Sequence, residues 1–295
     1  MSLPSSRLPA AGTSVSLFPV PPAPSWSSWF STSGRQCPRV RNEQEAFRPA
    51  PGTNAVVLSA RGVALKNVLY LHGFASSPAG RKIAALRELL EPRGMRVVAP
   101  DLNIPSFQKL DFRAMARISF WEAKKHMPAV VVGSSLGALV ALELARSAPV
   151  PALVLIAPAL GFGARWVEKL SPGDPLSFFH FGQGRELPIH RRFFEQMARL
   201  ELENEPPRVP TAALIGTDDE SVPFEAVREV WSAWERSGTL PPGSKFVAIP
   251  GGDHGLLAHV PRIADEIVAV DAARGTSANR EAGAGRRKNG ETGRP

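Results

Sequence analysis

The sequence predicts an α/β protein with a mostly parallel central sheet and helices on both of its faces. Short apolar runs without polar alternation recur along the chain, as expected for strands that are buried on both sides. Segments with helical periodicity separate most of these runs, which is typical of crossover connections between parallel strands. A third observation is a glycine-flanked serine, at residues 133–137, between one strand and the helix after it.

The strands are predicted from these apolar runs. They are Val68–Leu71, Arg96–Ala99, Ala129–Val132, Ala152–Ile156, Ala212–Ile215 and Phe246–Ile249. Ahead of them, Val56–Leu58 and Val63–Leu65 flank Arg61-Gly62, a pattern compatible with an antiparallel edge hairpin.

The helices are predicted from apolar residues at helical spacing. They are Ile83–Leu90, Met115–His126, Ala138–Arg146, Phe224–Arg236 and Val260–Ala272. The first should stop at Glu91, because Pro92 follows it and Gly94 comes shortly after.

One connection is longer than a crossover helix requires. About 50 residues separate Ala157 from Pro210, and we treat residues 158–210 as an insertion. Its aromatic residues are Trp166, Phe178, Phe179, Phe181, Phe193 and Phe194. The length favours a small cap over the carboxyl edge of the sheet. The alternative is ordinary core that contains the missing crossover helix.

The formal net charge of +8 is concentrated at the two ends. Residues 1–50 carry five Arg and two Glu, and residues 273–295 carry six basic and two acidic residues, whereas residues 51–272 carry 24 basic and 23 acidic residues. We therefore expect a disordered Ser/Pro-rich extension over 1–50, a folded α/β domain over 51–272 and a disordered basic tail over 273–295. For residues 1–50, a transit peptide and an over-extended translation start both stay open.

The composition argues against several function classes. No basic face interleaved with aromatic residues indicates dedicated nucleic-acid binding. No apolar run of 18 or more residues predicts a transmembrane segment. The single cysteine, Cys37, excludes an intrachain disulfide, and it either fits a reducing compartment or gives no redox information. We expect a cytoplasmic protein that acts on a small molecule.

The candidate nucleophile is Ser135. Gly133-Ser134-Ser135-Leu136-Gly137 follows a strand and precedes a helix, and such a turn presents one hydroxyl at the end of the sheet. The flanking glycines fit a strained backbone that neighbouring elements approach closely.

A serine hydroxyl needs a base, and the base needs a carboxylate. His254, in the loop after the last predicted strand, is the candidate base and is preferred to His259, which falls at the start of the final helix. The carboxylate follows the penultimate strand, where the spacing Gly-x-x-Asp-x-x-Val-Pro favours Asp219 over Asp218.

The same chemistry needs two backbone N–H donors for the developing oxyanion. Leu136, directly after the candidate nucleophile, supplies one. Phe74, in the His72-Gly73-Phe74 loop after the first parallel strand, supplies the other, and His72 is expected to hold this loop by hydrogen bonding. Candidate substrate contacts are Gly73, Trp166 and Phe178.

The order Ser135, Asp219, His254 is that of the α/β-hydrolases. The chain from about Ala55 to Ala272 resembles this superfamily. Within it, Tyr70–Pro78 and Pro100–Asn103 resemble the small YqiA-type bacterial esterases.

The resemblance implies the α/β-hydrolase fold, hydrolysis of carboxylic esters without a cofactor, and a Ser135–His254–Asp219 triad. It implies no role for Asp101 and Asn103 beyond hydrogen bonds within their loop. The sequence-based hypothesis is thus a serine hydrolase that cleaves an ester or thioester. A non-catalytic binding module on the same fold, or cleavage of an amide or carbon–carbon bond, are the alternatives.

Overall fold

The computed structural model describes residues 65–161 and 176–273, all within the unit Thr53–Pro295 of the two units into which the chain divides. The predicted extension over 1–50, the predicted edge hairpin up to residue 64, Trp166 and the tail from residue 274 lie outside the described residues.

Six of the described strands form one parallel sheet. They are β1 (Lys66–Leu71), β2 (Met95–Val98), β3 (Val130–Ser134), β4 (Leu153–Ile156), β7 (Thr211–Gly216) and β8 (Lys245–Ile249). Their order across the sheet is β2-β1-β3-β4-β7-β8, and each neighbouring pair is parallel. The strands β1, β3, β4 and β7 are buried along most or all of their length, as the sequence predicted, whereas β2 and β8 are partly exposed.

Helices cover both faces of this sheet. They are α1 (Arg81–Leu90), α2 (Phe112–His126), α3 (Leu136–Ser147), α4 (Arg191–Met197), α5 (Phe224–Arg236) and α6, over residues 260–273. The first helix ends at Leu90 and passes into the 3₁₀ turn Glu91–Arg93, so the predicted stop before Pro92 is correct to one residue.

Each face of the sheet packs into its own apolar layer. Alternate strand residues such as Leu69 and Val131 pack with α2, α3 and α5, and the opposite set, including Val130 and Val132, packs with α1 and α6. This three-layer arrangement is the α/β architecture that the sequence predicted.

The insertion contains an element that the sequence analysis did not predict. Strands β5 (Leu176–His180) and β6 (Arg185–Ile189) form a separate antiparallel hairpin, and the short helix α4 follows it. The hairpin is tied to the main domain where Phe181 N–H donates to Ala75 O at 2.9 Å. No helix within the described ranges is long and apolar enough to cross a bilayer.

Candidate active site

The candidate nucleophile lies at a sharp turn between β3 and α3. Ser135 has φ 54° and ψ −116°, a backbone conformation that a residue with a side chain rarely adopts. Its N–H donates to Ile156 O at 2.8 Å, and its carbonyl accepts from Ala138 N at 3.0 Å. These bonds hold the strained residue in place at the carboxyl end of the strand.

The flanking glycines are required by close packing. A Cβ on Gly137 would lie 2.0 Å from Leu71 O, and one on Gly133 would lie 2.4 Å from Gly137 O. The first turn of α3 therefore sits directly on the end of β1. Any side chain at either position would push the helix away from the sheet.

Three distant side chains meet at this turn. His254 Nε2 lies 3.1 Å from Ser135 Oγ, and His254 Nδ1 lies 2.9 Å and 3.0 Å from the two carboxylate oxygens of Asp219. Because a carboxylate can only accept, Nδ1 carries the proton and Nε2 is free to accept one from the serine hydroxyl. The arrangement can remove the hydroxyl proton as the oxygen attacks an electrophile.

The carboxylate is held in its ionised form. Asp219 is 8% exposed, and burial opposes its charge. The hydrogen bond from His254 and the N–H groups of Val222 and Ser221, at 2.7 Å and 2.9 Å from Asp219 Oδ1, outweigh that cost and lower the pKa of Asp219.

The neighbouring candidates lie elsewhere. Asp218 Oδ1 accepts from Thr217 Oγ1 at 2.9 Å and is exposed. His259 lies in the 3₁₀ helix Leu257–His259, and no hydrogen bond among the described residues joins it to Ser135. The geometry thus brings Asp219 and His254 to the serine.

The loops that carry the acid and the base are joined through their backbones. Asp218 N–H donates to Gly252 O at 3.1 Å, and Thr217 N–H donates to Ile249 O at 3.0 Å. A Cβ on Gly216 would lie 2.0 Å from Gly252 O, so the two loops touch where β7 and β8 end.

The His72–Phe74 loop lies against the serine. A Cβ on Gly73 would lie 3.1 Å from Ser134 O and 3.2 Å from Ser135 Cβ, so Phe74 follows at the same edge. Leu136 opens α3, where the first N–H groups of a helix point outward without intrahelical acceptors. Both predicted oxyanion donors therefore belong to backbone next to the serine.

His72 organises its own loop. Leu102 N–H donates to His72 Nε2 at 2.9 Å, which leaves the proton on Nδ1 to be donated to Gly73 O at 3.0 Å. Burial lowers the pKa of His72, so the ring stays neutral at this position. Asp101 and Asn103 hydrogen-bond to each other close by, with a side-chain distance of 2.8 Å.

The hairpin of the insertion packs on the same loop. The Phe178 ring meets the Phe74 ring edge-on at 5.1 Å, and Phe193 stacks on Phe74 at 6.1 Å. Phe194 lies 5.6 Å from Phe178. An aromatic cluster thus borders the loop next to Ser135.

Sequence reasoning missed a polar cluster beneath the serine. Lys82 Nζ donates to Ser134 Oγ at 3.1 Å, and Tyr70 also hydrogen-bonds to the Ser134 side chain. Nothing in the sequence pattern signals this, because a lysine in the first turn of an amphipathic helix reads as a solvent-facing charge. Across the described ranges no group of three or more His, Cys, Asp or Glu side chains is placed to hold a metal ion.

Several solved structures share this fold. Est1E from Butyrivibrio proteoclasticus matches with a TM-score of 0.55 at 19% identity, over 71% of this chain and 89% of that one. Alpha/beta hydrolase domain-containing protein 10 from mouse matches with a TM-score of 0.55 at 20% identity, over 68% and 87% of the two chains. The monoacylglycerol lipase of Paleococcus ferrophilus matches with a TM-score of 0.54 at 20% identity, over 72% and 96%. No curated protein matches the chain.

A protein-family model also matches the sequence. The model for UPF0227, described as an uncharacterised protein family, matches residues 67–236, more than half of the chain. This range includes Ser135 and Asp219 and stops before His254. The chain belongs to the UPF0227 family, shares the fold of the solved α/β-hydrolases and resembles the YqiA-type esterases.

Proposed function

We propose that this protein is a serine hydrolase that cleaves a carboxylic ester or thioester through an acyl-enzyme intermediate. The observation that carries the proposal is the continuous hydrogen-bonded chain from Asp219 through His254 to Ser135 Oγ. The strained backbone at Ser135 supports it, because such strain is characteristic of a nucleophile held out at the end of a strand.

In the first half-reaction, Ser135 Oγ attacks the carbonyl carbon while His254 Nε2 takes the hydroxyl proton. Asp219 accepts from Nδ1–H throughout, so it fixes the imidazole orientation and stabilises the imidazolium. Collapse of the tetrahedral intermediate breaks the bond to the alcohol or thiol, and His254 returns its proton to that leaving group.

In the second half-reaction, water takes the place of the alcohol. His254 removes a proton from the water as its oxygen attacks the acyl carbon, and the proton then passes to Ser135 Oγ as the acid leaves. In both halves the negative oxygen is bound by the N–H groups of Phe74 and Leu136.

The aromatic cluster supports a partly apolar substrate. Phe74 lies on the donor loop, and Phe178 from the hairpin packs against it at 5.1 Å. We propose that residues 158–210 act as a cap whose aromatic residues select the acyl or alcohol group, with Gly73 and Phe178 as substrate contacts.

The decisive test is covalent labelling. We expect a fluorophosphonate to modify Ser135, detected as one labelled peptide by mass spectrometry, and the labelling to disappear in His254→Asn. Labelling of a different serine, or equal labelling in His254→Asn, would refute the assignment.

Loss of the nucleophile should abolish turnover. We expect Ser135→Ala to lower kcat on p-nitrophenyl esters by on the order of 10⁵-fold, because the remaining groups cannot form an acyl-enzyme. We expect the variant to fold normally, because the change removes only a hydroxyl, and circular dichroism and Tm check this. A variant that keeps the activity of the unmodified protein would contradict the proposal.

The roles of the two ends and the cellular location are also proposals. We propose that the protein acts in the cytoplasm, which the single cysteine supports, and that residues 51–272 suffice for hydrolysis. A chain reduced to residues 51–272 should keep its kcat/KM, and a reduced value would assign a role to the ends.

A further inference from the structure

The ammonium group of Lys82 lies beneath the turn that carries Ser135. Lys82 is the second residue of α1 and is half-buried, and its Nζ donates to Ser134 Oγ at 3.1 Å. Ser134 ends β3, is 8% exposed and directly precedes Ser135. The lysine is therefore connected to the proposed nucleophile through one intervening side chain and the adjacent peptide bond.

The Ser134 hydroxyl is shared with a buried phenol. Tyr70, on the neighbouring strand β1, is 2% exposed and hydrogen-bonds to Ser134, and burial raises its pKa so that it stays neutral. Tyr70, Ser134 and Lys82 form a polar cluster at the edge of an otherwise apolar layer that includes Val132 and Ile83.

Two carboxylates attract Lys82, and only one of them, Asp219, belongs to the proposed acid–base pair. The Asp253 and Asp219 carboxylates both attract the ammonium. Asp219 accepts a hydrogen bond from His254, and Asp253 directly precedes His254 in the chain. Burial nevertheless lowers the pKa of Lys82 to about 8, so desolvation outweighs this attraction.

A partly desolvated ammonium is a costly way to fill this position. One hydrogen bond to a neutral hydroxyl does not offset the lost hydration of a charge, whereas a methionine of similar length would pack there without that cost. The charge itself therefore points to a role, and the site next to it is the one that the triad occupies.

We propose that Lys82 is a positioning residue of this site: it fixes the end of β3 through Ser134 and places a positive charge next to the Asp219–His254 pair. The inference rests on the proposed function and deepens it. A cation opposes the charging of a nearby imidazole, so the expected consequence of removing the Lys82 charge is that a proton on His254 is opposed less. The same cation attracts the Asp219 carboxylate and helps to keep it ionised.

The first test removes the charge and the hydrogen bond together. We expect Lys82→Met to lower kcat roughly 10-fold with KM changed less than twofold, because the turn loses a support rather than a substrate contact. The acidic limb of kcat/KM should move to higher pH by on the order of 0.5 unit. Lys82→Arg should keep the limb where it is, and Lys82→Gln serves as the second neutral variant if the methionine variant does not fold.

Two further variants separate the contributions. Ser134→Ala removes the acceptor but keeps the charge, so kcat should fall while the acidic limb stays in place. Arg87→Met removes one exposed positive charge from the same helix and should change neither. A limb that moves equally in Arg87→Met and Lys82→Met would overturn the local effect.

The last measurement does not depend on turnover. The Cε1–H resonance of His254, assigned by its loss in His254→Asn, is titrated by NMR in the unmodified protein and in Lys82→Met. A midpoint that is higher in Lys82→Met supports the inference, and equal midpoints overturn it. Failure of the proposed function would be recognised separately, as absent fluorophosphonate labelling of Ser135 in the unmodified protein.

Discussion

At the scale of single residues, burial and hydrogen bonding decide which of the adjacent acids Asp218 and Asp219 can be the partner of His254. Asp219 is buried and accepts from two backbone N–H groups and from His254, while Asp218 bonds only to the neighbouring Thr217 hydroxyl among the described side chains. A carboxylate that fixes the imidazole tautomer affects the rate far more than one at the surface of the loop.

Amide substitution should separate these two acids. We expect Asp219→Asn to lower kcat by on the order of 10³–10⁴-fold, because an amide can donate to the imidazole and favour the wrong tautomer. Asp218→Asn should change kcat less than threefold. Steady-state kinetics on one ester decides, and equal losses in the two variants would contradict the assignment of Asp219.

A second prediction concerns the packing of α3 on β1. The Cβ of Gly137→Ala would overlap Leu71 O, so we expect the free energy of unfolding to fall by roughly 3 kcal/mol. Gly255→Ala is the matched control, because its Cβ would meet its nearest atom at 3.5 Å, an ordinary contact. Urea denaturation measures both, and equal stabilities would show that the helix can shift at no cost.

At the scale of elements, the sequence predicted the parallel sheet but not the hairpin of the insertion. Apolar runs such as Val130–Ser134 and Thr211–Gly216 are buried on both faces, which leaves a strong signal. In Leu176–Ile189, exposed and buried residues alternate within five-residue strands, so the apolar content looks like general core. The glycine-containing turn Phe181-Gly182-Gln183-Gly184 between them was the available hairpin signal.

The neighbouring positions of the three proposed triad residues could be predicted from order and spacing, whereas Lys82 could not be found in this way. A residue at the end of a parallel strand must lie at one edge of the sheet, so Ser135, Asp219 and His254 are predicted to be neighbours once the strands are known. The direction of a lysine side chain depends on packing that a sequence pattern does not show, and here Lys82 Nζ reaches Ser134 Oγ.

The hairpin should influence which esters are accepted. We expect Phe178→Ala to reduce the ratio of kcat/KM for phenylacyl over acetyl esters about fivefold, because the ring that packs on Phe74 is lost. Phe181→Ala, in the same hairpin but 76% exposed, is the control and should leave the ratio unchanged. An unchanged ratio in Phe178→Ala would show that this residue of the hairpin does not select the substrate.

At the scale of the whole molecule, stability and the proposed activity make opposite demands on Lys82. The pKa of Lys82 is about 8 in the folded protein, below its ordinary value of 10.5. Between these two values the unfolded chain binds a proton that the folded protein has released, so this group makes stability rise with pH in that window. Below about pH 8 both states carry the charge, and the cost of burying it is present in full.

The stability of the unmodified protein relative to Lys82→Met should therefore depend on pH. We expect the methionine variant to have its largest advantage in free energy of unfolding near pH 7, and the advantage to shrink as pH rises from 8 to 10. Urea denaturation at pH 7, 8.5 and 10 measures this difference. A difference that does not change with pH would show that the ammonium is not desolvated.

The contact between the loops after β7 and β8 has a consequence for variants of this protein. Because main-chain bonds at Thr217 and Asp218 join the two loops, their spacing is inherited from strand pairing and not from the attraction between carboxylate and imidazole. Side chains can therefore be exchanged on this frame without dismantling it. The Ser135→Ala variant should lack activity but keep the positions of these two loops. It is therefore the variant with which to capture an uncleaved natural substrate from a metabolite mixture.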